Sequence, residues 1–258
     1  MTRTGKPVAI VTGGGSGIGL ACARSLALAG YRLVINGRRQ RTLDEAAHSI
    51  LSTVADAEIE TVSGSVANSS DVDAVFVRAA SAYGRLDAVV SAAAALHVAN
   101  FKDMKLQDWD DMNATVLRGA ALIAMASTKA FLAAGTHGRM VFISSISARV
   151  ADPGLAHYCA AKAGVDALVR SLAVDLSSDG IVANSVAPGW IHTPMIGEFV
   201  ESLPPGALSV MNPQARAANP DEVAKVVRFL VVDAPDFLTG STITVDGGQT
   251  IMNHVIDG

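Results

Sequence analysis

The chain has 258 residues, of which 50% are hydrophobic and 17% charged, with a formal net charge of -4. This is ample apolar material for one large α/β core or two small ones, and the mild acidity excludes the basic footprint that nucleic acid requires. The two cysteines, Cys22 and Cys159, have no metal-ligand spacing, and no apolar run reaches a membrane span uninterrupted, which predicts a soluble cytoplasmic protein with free thiols, no metal and a small-molecule partner.

Residues 7–11 form an apolar run ending in TGGGSGIG at 12–19, and an alanine- and leucine-rich helical run follows over 20–28, stopping at Gly30. Strand, glycine turn and helix in this order leave backbone N–H groups and a helix dipole free to face a pyrophosphate. An ordinary tight turn has the same composition, so the motif needs its context. A second strand over 32–36 leads into Asn36, Gly37, Arg38 and Arg39. A carboxylate at the end of this strand would bind the ribose hydroxyls of NAD, and none is present. Arg38 offers a charged fork of donors suited to a 2′-phosphate, which favours NADP over NAD, with NAD still possible. The plainer alternative is that these arginines solvate the start of the next helix at 42–51.

The alternation continues with a strand at 58–62, a helix at 69–82, a strand at 86–90 and a long helical region at 106–134. Strands at 140–143, 181–186 and 242–245 complete the pattern. This predicts an α/β fold: a doubly wound, seven-stranded parallel sheet of the Rossmann type, in a single domain over residues 1–258. No linker or repeat divides it. Residues 195–219 lack a sheet pattern and hold Pro204, Pro205, Gly206 and Pro213, so they read as a substrate lid following Pro188 and Gly189.

Ser145 follows the β-rich MVFIS run and stands at a strand's carboxyl end, where open α/β sheets place their ligands. Tyr158 and Lys162 are four residues apart in an alanine-rich helical run and so share one face. A fixed cation beside a phenol, whose ordinary pKa is about 10, favours the phenolate and makes it usable in acid–base work. A solvated tyrosine with an incidental lysine would have the same spacing.

Taken together, these segments resemble the short-chain dehydrogenase/reductase family over nearly the full chain. Thr12, Gly13, Gly17, Ile18 and Gly19 fit its T-G-x-x-x-G-I-G turn, and Ser145, Tyr158 and Lys162 fit its catalytic serine and Y-x-x-x-K pair. Asn184, Pro188, Gly189 and Thr193 fit the segment that borders the nicotinamide in the family, and Gly240, Asp246, Gly247 and Gly248 fit its C-terminal signature. The resemblance implies an NAD(P)-dependent oxidoreductase that moves a hydride between the nicotinamide and a secondary alcohol or ketone. It implies that Ser145 polarises the substrate oxygen, Tyr158 exchanges its proton, and Lys162 lowers the tyrosine pKa and binds the nicotinamide ribose. For the cofactor it implies contacts from Gly13, Ser16, Gly17, Ile18, Gly19, Arg38, Ser65, Val66, Ala93, Tyr158, Lys162, Pro188, Gly189, Ile191 and Thr193. A homotetramer is implied as well.

Three positions depart from the family's pattern. The usual N-N-A-G run is Ser91 to Ala94 here, which removes two asparagines and adds a methyl that disfavours a left-handed backbone. Ser65 replaces an aspartate near the adenine, and Val116 stands where a catalytic asparagine belongs to a proton path. Asn113, one helical turn earlier, is the candidate substitute, with hydrogen bonding to neighbouring loops as its plainer role. The alternative to an active enzyme is a catalytically weakened, nucleotide-binding structural or regulatory homologue. For the pocket wall, His97, Trp190, His192, Phe199 and Met211 are the candidates.

Overall fold

The computed structural model describes residues 5–204 and 206–252; the outer ends of the predicted domain and Pro205 lie outside the described residues. Seven strands form one wholly parallel sheet: β1 (Val8–Thr12), β2 (Arg32–Gly37), β3 (Ile59–Ser63), β4 (Ala88–Ser91), β5 (Arg139–Ile143), β6 (Val182–Pro188) and β7 (Thr242–Val245). Their order across the sheet is β3-β2-β1-β4-β5-β6-β7. The order reverses between β1 and β4, and ligands of such sheets sit outside the carboxyl ends of the strands at that reversal.

The central strands are continuous apolar runs because both faces are covered. All five residues of β1, VAIVT, are buried, as are all four of β4. On one face α1 (Gly17–Leu28), α2 (Gln40–Thr53) and α9 (Pro220–Arg228) pack Leu26, Leu43, Ile50 and Val227 onto the sheet. On the other, α3 (Ser69–Tyr83), α4 (Leu106–Asn113), α5 (Gly119–Ala134) and α6 (Ala156–Leu176) bury Val75, Ile123, Phe131 and Val165. A single domain results, with a core on each side of the sheet.

Two expectations are corrected. The helical region over 106–134 is two α-helices joined by a wider, π-helical turn at Ala114–Arg118. The whole run Leu106–Ala134 is long and apolar enough, by length and composition, to cross a membrane, which the sequence reading did not allow. Phe131 and Ile123 on it are fully buried against the sheet, as in a core helix. The second correction concerns 195–219, which is not without structure. It holds α7 (Gly197–Ser202) and α8 (Ala207–Met211), and Ala218 is bridged to Ile191 beyond the end of β6.

Candidate active site

A cavity of about 330 Å³ opens along the carboxyl ends of the strands. Every residue expected to contact the cofactor lines it: Gly13, Ser16, Gly17, Ile18 and Gly19 of the first turn, Arg38 after β2, Ser65 and Val66 after β3, Ala93 after β4, and Pro188, Gly189, Ile191 and Thr193 after β6. Ser145, Tyr158 and Lys162 line the same cavity. Parallel strands deliver all of these loops to one edge, so residues 180 positions apart meet.

The glycine turn is set by packing as much as by any ligand. Gly13 adopts φ +67°, and a Cβ there would lie 2.7 Å from the Ala92 carbonyl oxygen beyond β4. A Cβ on Gly19 would overlap the Gly13 carbonyl, so helix and turn can close on each other only without side chains. The Ser16 side chain makes no capping bond at the start of α1, and the first turn of that helix carries no acid. The start of this helix lines the cavity and its first-turn N–H groups lack a side-chain cap, an arrangement suited to phosphate. At the rim, the exposed Arg38 and Arg39 have no side-chain partner among the described residues, whereas Arg41 pairs with Glu45 at 2.9 Å. Open helix donors together with two unpaired guanidinium groups are a donor set that fits a dinucleotide, including one with an extra phosphate.

The departures at 91–94 are absorbed locally. Thr12 Oγ1 accepts hydrogen bonds from the backbone N–H groups of Ala92 at 3.2 Å and Ala93 at 3.3 Å, tying β1 to the end of β4 without either asparagine. Ala94 does not adopt a left-handed backbone, so its methyl costs no strain there. Asn36, in place of an acid, donates to the carbonyls of Val62 at 3.0 Å and Gly64 at 3.2 Å, which holds β2 and β3 together at the cavity edge.

At the chemical end, Ser145 starts a single turn of 3-10 helix, Ile146–Ala148, and its Oγ accepts from Ser147 N at 3.1 Å. Lys162 is only 2% exposed and its ammonium donates to the Ile143 carbonyl at 2.7 Å. Burial pushes its pKa down to about 8, against the opposing pull of the Asp166 carboxylate. Lys162 Nζ is 5.6 Å from the centre of the Tyr158 ring. The predicted depression of the tyrosine pKa is not what the structure gives. Burial pushes the phenol up to about 12, and the hydrogen bond with Ser145, not the lysine, is what opposes it. The reason is competition: two groups removed from water each disfavour their own charged form, and the lysine is held by a backbone carbonyl. A phenol protonated throughout the neutral range is a proton donor.

Other expectations are corrected by position. Asn113 does not line the cavity, because its side-chain amide donates back to the Trp109 carbonyl at 2.9 Å within its own helix. Val116 is buried in the core at 3% exposure, and Thr115 is the residue of the π-helical turn that lines the cavity. Asn184 faces away, bonding the Leu238 carbonyl and Ser241 N–H to join β6 to the approach to β7. Of the five candidates for the pocket wall, only Trp190 lines it, stacked on Phe199 at 5.4 Å. His97 is near Asp108 at 3.5 Å and His192 near Glu201 at 3.2 Å, both off the cavity.

Sequence reasoning missed Thr42, Ser144 and Asp152 among the lining residues. Ser144 Oγ is buried with no hydrogen-bond partner among the described residues, and its adjacency to Ser145 was the available signal. For Asp152 the signal was the Asp-Pro-Gly turn directly before the Tyr158 helix.

A family model described as enoyl-(acyl carrier protein) reductase matches residues 13–250. The chain is 35% identical to a 3-oxoacyl-[acyl-carrier-protein] reductase of Synechocystis sp., over 97% of this chain and 100% of that protein. It is 36% identical to the cis-4-hydroxycyclohexanecarboxylate dehydrogenase of Sinomonas cyclohexanicum, over 94% and 96% of the two chains. Among solved structures it is similar to levodione reductase, with a TM-score of 0.90 and 29% identity over 97% of this chain and all (100%) of that one. The likeness to a short-chain type dehydrogenase/reductase from Mycobacterium marinum has a TM-score of 0.89 and 28% identity, covering 95% of each chain. Glycine turn, sheet reversal and the convergence of Ser145, Tyr158 and Lys162 agree with these likenesses, and the chain belongs to the short-chain dehydrogenase/reductase family as an NAD(P)-dependent oxidoreductase acting on alcohol or ketone groups.

Proposed function

We propose that the chain reduces a ketone to a secondary alcohol with NADPH, using Ser145, Tyr158 and Lys162 as its catalytic residues. The observation that carries this reading is the single cavity lined both by those three side chains and by the α1 terminus and the unpaired Arg38. The dinucleotide, when bound, supplies the hydride for reduction or accepts it for oxidation. The turn at Gly13 to Gly19 and Arg38 hold its phosphates; Ser65, Val66 and Ala93 border its adenosine half; and Pro188, Gly189, Ile191 and Thr193 flank the nicotinamide half. Ser145 donates a hydrogen bond that holds the substrate oxygen against the Tyr158 hydroxyl, and that hydroxyl gives up its proton as the carbonyl becomes a carbinol. Burial raises the phenol's pKa, which keeps the hydroxyl protonated, the state that donates a proton in the reducing direction. Lys162 positions the ribose and supplies a positive charge below about pH 8.

Residues 195–219 act as the substrate lid in this reading, with Met195 and Ile196 presented to the cavity. We assign the protein to the cytoplasm on its composition and cysteine usage, and to a homotetramer on the resemblance. Nothing in the site favours a catalytically weakened homologue. The test is a titration with NADPH and NADH followed by turnover of a ketone panel, read by cofactor absorbance. The reading predicts tighter NADPH binding and consumption with at least one ketone; NADH preferred over NADPH refutes the cofactor assignment, and binding without consumption refutes the chemistry.

A further inference from the structure

The cavity that holds the catalytic residues is lined as well by the apolar Leu96, Leu155, Trp190, Met195 and Ile196, and by the neutral polar Thr115, Ser144, Ser147 and Thr193. One residue stands apart by its charge. Asp152 is the single acid among the residues lining the cavity, where the other charges, Arg38, Arg39 and Lys162, are all basic. Its carboxylate has no hydrogen bond or ion pair among the described residues. An acid with no protein partner in such a wall is a polar contact waiting for a donor, since sites of this kind fix a ligand with a few placed polar groups.

Its position is set rather than incidental. Leu155 N donates to the Asp152 carbonyl at 3.2 Å, closing the turn that leads directly into α6 and Tyr158. The turn is pinned from outside. Gly154 stands at φ +77°, its carbonyl accepts from Ala99 N at 3.0 Å, and a Cβ on it would lie 2.8 Å from Val98. Asp152 and Tyr158 are thus carried on one fixed piece of chain, with a preset relation between the group that protonates the substrate and the single acid lining the cavity.

We infer that Asp152 determines substrate specificity: it receives a hydrogen-bond donor, hydroxyl or ammonium, carried by the substrate away from the reacting carbonyl, and it disfavours a carboxylate in that place. This rests on the ketone-reducing reading given above and names the substrate class for the same site. A site that hydrogen-bonds a substrate donor discriminates against the analogue lacking it, because the half-buried Asp152 carboxylate is then left without a partner. A charged acceptor makes the stronger bond, so a discrimination of about tenfold or more follows.

The experiment compares kcat/KM for 4-hydroxycyclohexanone, 4-aminocyclohexanone, cyclohexanone and 4-oxocyclohexanecarboxylate in the wild type and in Asp152→Asn, Asp152→Ala and Asp152→Lys. Each value is divided by that of cyclohexanone in the same variant, so that partial loss of folded enzyme cancels. The wild type is expected to favour the hydroxy or amino ketone over cyclohexanone by about tenfold and to disfavour the carboxylate. Asp152→Ala abolishes the preference, and Asp152→Lys reverses the order of the amino and carboxylate substrates. If the donor is an ammonium, Asp152→Asn removes most of the preference; if a hydroxyl, the asparagine oxygen retains much of it. Ratios that are the same in all four proteins overturn the inference while leaving ketone reduction intact. Turnover of none of the four ketones by a wild-type enzyme that binds NADPH overturns the reading beneath it, and the inference with it.

Discussion

Lys162 carries a measurable cost for its burial. Its pKa falls from an ordinary 10.5 to about 8, a difference of about 2.5 units, or about 3 kcal/mol by linkage. Below pH 8 both folded and unfolded chains hold the proton, and the full cost of the buried charge is present. Between about 8 and 10.5 the folded chain has released its proton and the unfolded chain has not, so the unfolded state binds more protons and stability rises with pH. Tyr158 acts in the opposite sense from pH 10 to about 12, where the unfolded chain loses its proton first and stability falls. Substituting Lys162→Met removes the first effect and keeps the second. Urea unfolding of the cofactor-free wild type and variant, at fixed protein concentration and at pH 7 and 10, isolates the lysine as a difference. The wild type should gain about 2–3 kcal/mol on the variant between the two pH values. The bond to the Ile143 carbonyl is given by an ammonium at pH 7 and by a neutral amine at pH 10, and that change is part of the same linkage. A difference that does not change with pH would refute the reasoning, because it would mean that the ammonium is solvated in the folded chain.

Two further predictions follow from geometry. Arg38→Asp should weaken NADPH binding by about ten- to a hundredfold, the loss of a charge-assisted contact, with a much smaller effect on NADH; fluorescence titration of both cofactors reads the ratio. Asn113→Ala should leave kcat and its pH profile unchanged, since that side chain serves the Trp109 carbonyl and not the cavity, and steady-state assays from pH 6 to 10 check it.

The doubly wound sheet was legible because its strands are apolar runs punctuated by glycine turns, and such runs survive burial on both faces. The residues on those turns were named through the family resemblance, and parallel strands account for their meeting, since they bring every following loop to one edge. Contacts between side chains were not legible. The spacing of Tyr158 and Lys162 gives a shared helix face, but not that Ile143 would capture the ammonium or that burial would outweigh the lysine on the phenol. Asn113 and Val116 show a second limit. Their roles depend on a π-helical turn that changes which residue faces the cavity, and an unbroken 3.6-residue period gives no sign of it. The two short helices in 195–219 are each at most six residues long, too short for periodicity to reveal. Asp152 was hidden by type, since an Asp-Pro-Gly stretch ordinarily marks nothing more than a turn.

In the proposed reaction Tyr158 is the proton donor, in a site that binds its cofactor independently of that proton. Replacing Tyr158 by phenylalanine keeps the ring and removes only the hydroxyl. Tyr158→Phe should bind NADPH within a few-fold of the wild type and lose ketone reduction by about a hundredfold or more, the scale of general acid catalysis. Retention of wild-type turnover by that variant would contradict that role.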